Sequence, residues 1–267
     1  MPVAVVTDST AYLPATDGVT VVPLQVIVDG AEVSELSSPD LARATTSRPA
    51  PALFADVYSA LTAFDGVVSV HLSGELSGTV EAASAAAAAA PVPVEVVDSR
   101  SIAMGLGYPV LAAARAAASG ASLRAVADAA RRCAEVTQTF FYVDTLEYLR
   151  RGGRIGAAAS VVGSALMIKP LLHLVDGRIE LLEKVRTPSR ALGRLEELAV
   201  KAAGAARAVE VAVQHLAAPG RAEALCERLR GRLPDGARFT VVELGAVVGV
   251  HAGPGMLGVT VSPGNSL

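Results

Sequence analysis

Short apolar runs recur through the first half of this chain, and most of them end in a cluster of Asp, Ser, Thr or Gly. Residues 2–6 run into Thr7-Asp8-Ser9-Thr10, residues 67–70 into HLSGELSGT from His71 to Thr79, and residues 92–97 into Asp98-Ser99-Arg100-Ser101. Each reads as a buried strand opening into a polar loop. A further apolar run, residues 19–28, contains Pro23, which argues against a central strand. Between these runs the spacing turns helical. Residues 52–63 place Leu53, Phe54, Val57 and Leu61 on one face. Residues 81–90, 108–118 and 123–136 follow the same pattern, the last two parted by Ser119-Gly120. Ser38-Pro39-Asp40 opens another helix with Leu41 as its first apolar residue, and residues 44–51 read as a loop because Pro49 and Pro51 block regular pairing. This alternation predicts an α/β domain with a mostly parallel sheet and helices on both faces. Ligands of such sheets bind beyond the carboxyl ends of the strands, where Asp8, Ser73 and Asp98 would cluster.

The second half is patterned differently. Two apolar runs, 171–175 and 178–185, flank Asp176-Gly177, a strong hairpin signal. Helices are predicted at 188–203 and 221–229, with strands at 209–213, 239–244 and 256–261. The expected fold is therefore a parallel-sheet α/β domain over residues 1–143 and a mixed α+β domain over residues 144–267.

Composition narrows the picture. Of 267 residues, 52% are hydrophobic, only 4% are aromatic and none is Trp, so the core must be built from Ala, Val and Leu with helices close to sheets. The net charge of -3 offers no electrostatic footprint for nucleic acid. The two cysteines, Cys133 and Cys226, form neither a CxxC pair nor a disulfide framework. The opening MPVAVVTDST lacks a basic segment before its apolar run, and the alanines at 85–90 are too few to span a bilayer. A cytoplasmic protein without stable membrane insertion is expected.

Three polar segments carry candidate chemistry: HLSGELSGT, YVDTLEYLRRGGR at 142–154, and HAGPG at 251–255. In the first, Ser73, Gly74, Ser77, Gly78 and Thr79 combine hydroxyls with glycine turns before a helix, an arrangement that either holds an anion or caps the helix through Thr79. It is neither a GxxxxGK[ST] loop nor GxGxxG, so a nucleotide phosphate site is unsupported. Thr45, Thr46 and Ser47 add hydroxyls in a proline-bounded segment. Asp8 and Asp98 read as caps of their strand-end loops, and His71 and His251 lack metal-ligand spacing. In the second segment, Arg150, Arg151 and Arg154 surround Gly152-Gly153, with Asp144 and Glu147 as available partners. A serine hydrolase using Ser73 or Ser77 with His251 and Asp8 or Asp98 is the enzymatic alternative, but no GxSxG elbow surrounds either serine.

In order along the chain, TDSTAYLP from Thr7, TTSRP from Thr45, HLSGELSGT, VDSRS from Val97, DTLEYLRRGGRI from Asp144, IKPLLHLVDGRI from Ile168, Lys184-Val185-Arg186 and HAGPG resemble the DegV family. The resemblance extends over nearly the whole chain. It implies a two-domain fatty-acid-binding protein, with the carboxylate in a cleft between the domains and the acyl chain in the second. It further implies a non-catalytic subunit that presents a long-chain fatty acid to a separate ATP-dependent fatty acid kinase subunit, yielding an acyl phosphate for phospholipid synthesis. No cofactor beyond the bound fatty acid is implied, and a monomer suffices. Carried onto this sequence, the ligand-binding set is Thr46, Ser47, Ser73, Gly74, Ser77, Gly78, Thr79, Gly153, Arg154, Ile168, His251 and Gly253, with Arg186 at the kinase-facing side or in a local ion pair. Ile155, Val161, Val162, Leu166 and Met167 join Ile168 as tunnel candidates. The chain departs from the family pattern at Gly74, where a second serine is usual, at Arg48 in place of Gln, and at Val80 in place of Tyr.

Overall fold

The computed structural model describes residues 2–14, 18–33, 41, 43–156 and 169–264. The chain divides into two compact units, Met1–Ser34 with Thr46–Val136, and Glu35–Thr45 with Thr137–Leu267.

The first unit is organised by a four-stranded, all-parallel sheet. Its strands are β1 (Val3–Asp8), β2 (Val19–Val22), β6 (Gly66–His71) and β7 (Val94–Asp98), in the order β2-β1-β6-β7. Every residue of β1 and β6 is buried, as expected for strands covered on both faces. The helices are α1 (Pro51–Ala60), α2 (Thr79–Ala87), α3 (Met104–Ala118) and α4 (Leu123–Val136). Ala82, Ala83 and Ala86 of α2 pack with Phe54 and Tyr58 of α1 over Ala4, Val6 and Val67. These alanines give the close helix-to-sheet approach that the composition requires. Side chains alternate along a strand, so the neighbouring positions face the other way, where Gly66 lies under Leu123 of α4.

Pro23 ends β2, and the chain resumes as β3 (Gln25–Val28), which pairs with β4 (Ala31–Val33) in a separate sheet ordered β4-β3-β5. The strand β5 is Ala44–Ser47, where the sequence predicts a loop. Pro49 and Pro51 follow that strand rather than interrupt it. The helix expected from Ser38-Pro39-Asp40 lies outside the described residues. Helix α3 begins four residues before the predicted start, through Met104–Gly107. Gly107 permits this, because a Cβ there would meet Ala11 O at 2.8 Å.

The second unit holds a six-stranded mixed sheet. Its strands are β8 (Gln138–Tyr142), β9 (Lys169–Val175), β10 (Arg178–Val185), β11 (Val209–His215), β12 (Arg238–Glu243) and β13 (Leu257–Pro263), in the order β10-β9-β8-β13-β11-β12. All its pairings are antiparallel except β11 with β12. The β9–β10 hairpin turns at Asp176 and Gly177, both with positive φ, as the D-G signal requires. Helices α6 (Pro188–Ala203) and α7 (Pro219–Arg230) lay Leu195, Leu198, Leu225 and Leu229 against Tyr142, Leu171, Val211, Val213 and Val259. Thr187 caps α6 by accepting from Arg190 N at 3.2 Å, with Pro188 at the first helical position. Two short helices, α5 (Glu147–Arg151) and α8 (Ala246–Ala252), pack on each other. Among the described residues no helix is long and apolar enough to cross a membrane.

Candidate functional site

In the first unit the carboxyl ends of β1, β6 and β7 carry a continuous polar network. Asp8, at the end of β1, is fully buried. Its Oδ1 accepts from Thr10 N at 3.0 Å and Thr10 Oγ1 at 2.5 Å, and its Oδ2 accepts from Leu72 N at 3.0 Å. His71 Nδ1 lies 3.1 Å from the same Oδ2, and His71 Nε2 lies 2.7 Å from Ser69 Oγ. Tyr58 Oη donates to Ser69 Oγ at 2.9 Å. One assignment satisfies every link: Tyr58 donates to Ser69, Ser69 to Nε2, and Nδ1–H to Asp8. Burial pushes the Tyr58 phenol up to about 12, opposed by its bond to Ser69. Phe54 closes the His71 ring edge-on at 5.0 Å between centroids.

This network ends where the HLSG loop begins. Ser73 N donates to Ser101 O at 2.8 Å, Gly74 N to Asp98 Oδ2 at 3.2 Å, and Glu75 N to Ser73 Oγ at 3.2 Å. Leu76 N and Ser77 N both bond Ser73 O. The amides of residues 73 to 77 are thus already paired within the loop or with the neighbouring strand-end loop. Both aspartates act as loop caps, as predicted. Thr79 is not the cap of α2. Gly78 occupies that position without a side-chain bond, and Thr79 Oγ1 pairs with Ser77 Oγ at 2.8 Å. Arg48 lies over Gly78, its Nη1 2.5 Å from where a Cβ would stand, though this exposed side chain is free to swing aside. Arg48 Nη1 also pairs with Glu81 Oε2 at 2.8 Å, so its charge is met on an exposed surface. Thr46 and Ser47 are half-buried at the end of β5.

In the second unit the RRGGR and HAGPG segments meet where α5 packs on α8. A Cβ on Gly152 would collide with the His251 ring at Nδ1, and one on Gly253 would collide with the Tyr148 ring. Glycine is therefore dictated at both positions by approach. Gly153, Gly253 and Gly255 also have positive φ. His251 occupies the last turn of α8 rather than a loop. Burial, then the positive charges of Arg154 and Arg151, push its imidazole down to about 4. It is neutral at physiological pH and offers a hydrogen bond without a charge. Arg151 Nη2 donates to Leu41 O at 2.6 Å, and its guanidinium lies 5.0 Å from the Tyr148 ring centroid. Arg154 Nη1 donates to Gly152 O at 2.5 Å. Arg150 is paired with Glu147 at 2.6 Å, and Asp144 is shared by Tyr142, Lys169 and Arg221. Ile155 is buried, whereas Ile168 and the tunnel candidates Val161, Val162, Leu166 and Met167 lie outside the described residues.

His173 stacks on Phe140, and His215 is buried. Among the described residues no group of His, Cys, Asp or Glu could hold a metal ion. Sequence reasoning overlooked Tyr58 and Ser69. Their signal was a serine and a histidine two positions apart in GVVSVH, on one face of an otherwise apolar strand.

Residues 2–264 match the DegV family, described as "Uncharacterised protein, DegV family". The chain belongs to the DegV family. A DegV domain-containing protein of Streptomyces coelicolor is 56% identical, the match covering 97% of this chain and 98% of that one. A solved DegV family structure from Thermus thermophilus, described by its fatty acid binding, superposes with a TM-score of 0.90 at 36% identity, covering 98% of this chain and 100% of the other. Another from Bacillus subtilis, described as DegV, a fatty acid binding protein, gives 0.89 at 31% identity, covering 99% and 100%. The two-unit α/β architecture, with a parallel first sheet and a mixed second one, is thus a DegV fold.

Proposed function

We propose that this chain binds one long-chain fatty acid and presents its carboxylate to a separate ATP-dependent kinase subunit, which forms the acyl phosphate. The chain itself is the non-catalytic partner. What carries the reading is the environment of His251. A neutral imidazole held beside two guanidinium groups favours an ionised carboxylate over a neutral headgroup. The acyl chain is supported by the relatives described as fatty-acid-binding. In this reading Thr46, Ser73 and His251 donate to the carboxylate, Ser47, Ser77 and Thr79 complete the hydroxyl lining, and Gly74, Gly78, Gly153 and Gly253 keep the backbone close. Arg154 supplies charge and Ile168 begins the apolar path. Each buried methylene contributes about 0.8 kcal/mol, so the chain supplies affinity and the carboxylate supplies direction. A monomer is adequate, since the kinase subunit is the partner.

The test compares hexadecanoic acid with hexadecanol on the native protein and on His251→Ala and Thr46→Ala. The native protein is expected to prefer the acid. Each variant should lose roughly ten-fold or more on the acid alone, the worth of one charge-assisted hydrogen bond. Unchanged acid affinity and full phosphoryl transfer with a cognate kinase in both variants would overturn the assignment.

A further inference from the structure

Buried at the root of the HLSG loop is a set of groups that the carboxylate chemistry does not consume: Tyr58, Ser69, His71 and Asp8. All four are completely buried, and each link between them is a hydrogen bond of 2.7 to 3.1 Å. The Ser69–His71–Asp8 portion has the connectivity of a hydrolytic triad, but Ser69 is fully buried, its Oγ bonded to Tyr58 and His71. Apolar side chains would fill this space at less desolvation cost. What the polar chain adds is direction. Asp8 Oδ2 receives His71 Nδ1 and Leu72 N together, so the imidazole and the amide just before Ser73 share one oxygen. The other oxygen holds Thr10 at the exit of β1. Asp8 therefore ties two parallel strand ends, and the position of Ser73 depends on where Asp8 is held.

We infer that Tyr58, Ser69, His71 and Asp8 form a buried positioning relay that orients Ser73 for the ligand headgroup and so sets selectivity for carboxylate over neutral headgroups. This deepens the fatty-acid reading and rests on it. None of the four touches ligand. They act through the loop. The far end of the relay, the Tyr58 hydroxyl, is separated from Ser73 by three hydrogen-bonded groups, so its removal reports on transmission alone.

The experiment uses the full chain with Tyr58→Phe, Ser69→Ala and Asp8→Asn, read two ways. Amide hydrogen exchange in lipid-free protein follows residues 72–74, and titration with hexadecanoic acid and hexadecanol gives the ratio of affinities. Expected are faster exchange confined to the loop and a roughly five- to ten-fold fall in the acid-to-alcohol ratio for Tyr58→Phe and Ser69→Ala, with alcohol affinity kept. If Asp8→Asn does not fold, these two variants still decide the matter. Unchanged loop exchange and an unchanged ratio overturn the relay. An equal loss for acid and alcohol also overturns it, since that marks general destabilisation. If the native protein shows no preference for the acid, the fatty-acid reading fails and the selectivity role falls with it, and the exchange data separately show whether the loop is held from below.

Discussion

At the residue scale the glycines beside the two most conspicuous motifs are explained by what they approach. Gly152 leaves space for His251, and its replacement by Ala forces the ring to move. Gly152→Ala is expected to destabilise the protein by about 1–3 kcal/mol, the range for overpacking, and to weaken acid binding more than alcohol binding. A calorimetric melt paired with the two titrations checks this. His251 also makes stability depend on pH. Its folded value of about 4 lies below the ordinary 6.5, so the unfolded chain takes up the proton first as pH falls. Stability is therefore intact above pH 6.5 and declines between 6.5 and 4, by an amount on the order of 3 kcal/mol at the lower end. Denaturant unfolding at pH 7 and pH 4.5 should show that decline, and His251→Asn should reduce it. The motifs themselves were legible, since RRGGR and HAGPG stand out among apolar neighbours. Their mutual contact was not, because it depends on α5 meeting α8. The Tyr58 and Ser69 partnership was hidden for the same reason: the two residues lie on different elements, and only their shared face joins them.

At the scale of elements, legibility followed periodicity. Helices α4 and α6 begin and end where the apolar spacing places them, Leu123–Val136 and Pro188–Ala203, and the β9–β10 hairpin turns at its D-G pair. Both helices are long enough for a 3.6-residue period to show. Short elements escaped. The strand β5 was masked by the prolines after it. Helix α8, AVVGVHA, is apolar on every side and too short to display a face. The start of α3 was obscured by Pro109, which reads as a helix opening although the helix already runs from Met104. The α6–α7 layer carries the core of the second unit, and Leu225 is fully buried within it. Leu225→Ala should cost about 2–5 kcal/mol, measured by urea unfolding. By contrast, the exposed Arg48–Glu81 pair is expected to contribute under about 1 kcal/mol, so Glu81→Gln should leave the urea midpoint nearly unmoved.

For the whole molecule, the sequence pattern led to the α/β class, the parallel first sheet and the mixed second sheet because strand–helix alternation in the first half gives way to a hairpin in the second. Ligand identity is a different kind of quantity. In the proposed reading it depends on an apolar path whose candidates, apart from the buried Ile155, lie outside the described residues, and on a few ångströms of packing that no spacing rule encodes. Whether the protein carries a fatty acid is read by solvent extraction of the purified native protein followed by quantitative mass spectrometry of what is released. Close to one fatty acid per chain is expected, with a preferred acyl length. An extract with no fatty acid, from protein that also fails to take one up after incubation with a panel of saturated, unsaturated and branched acids, would contradict it.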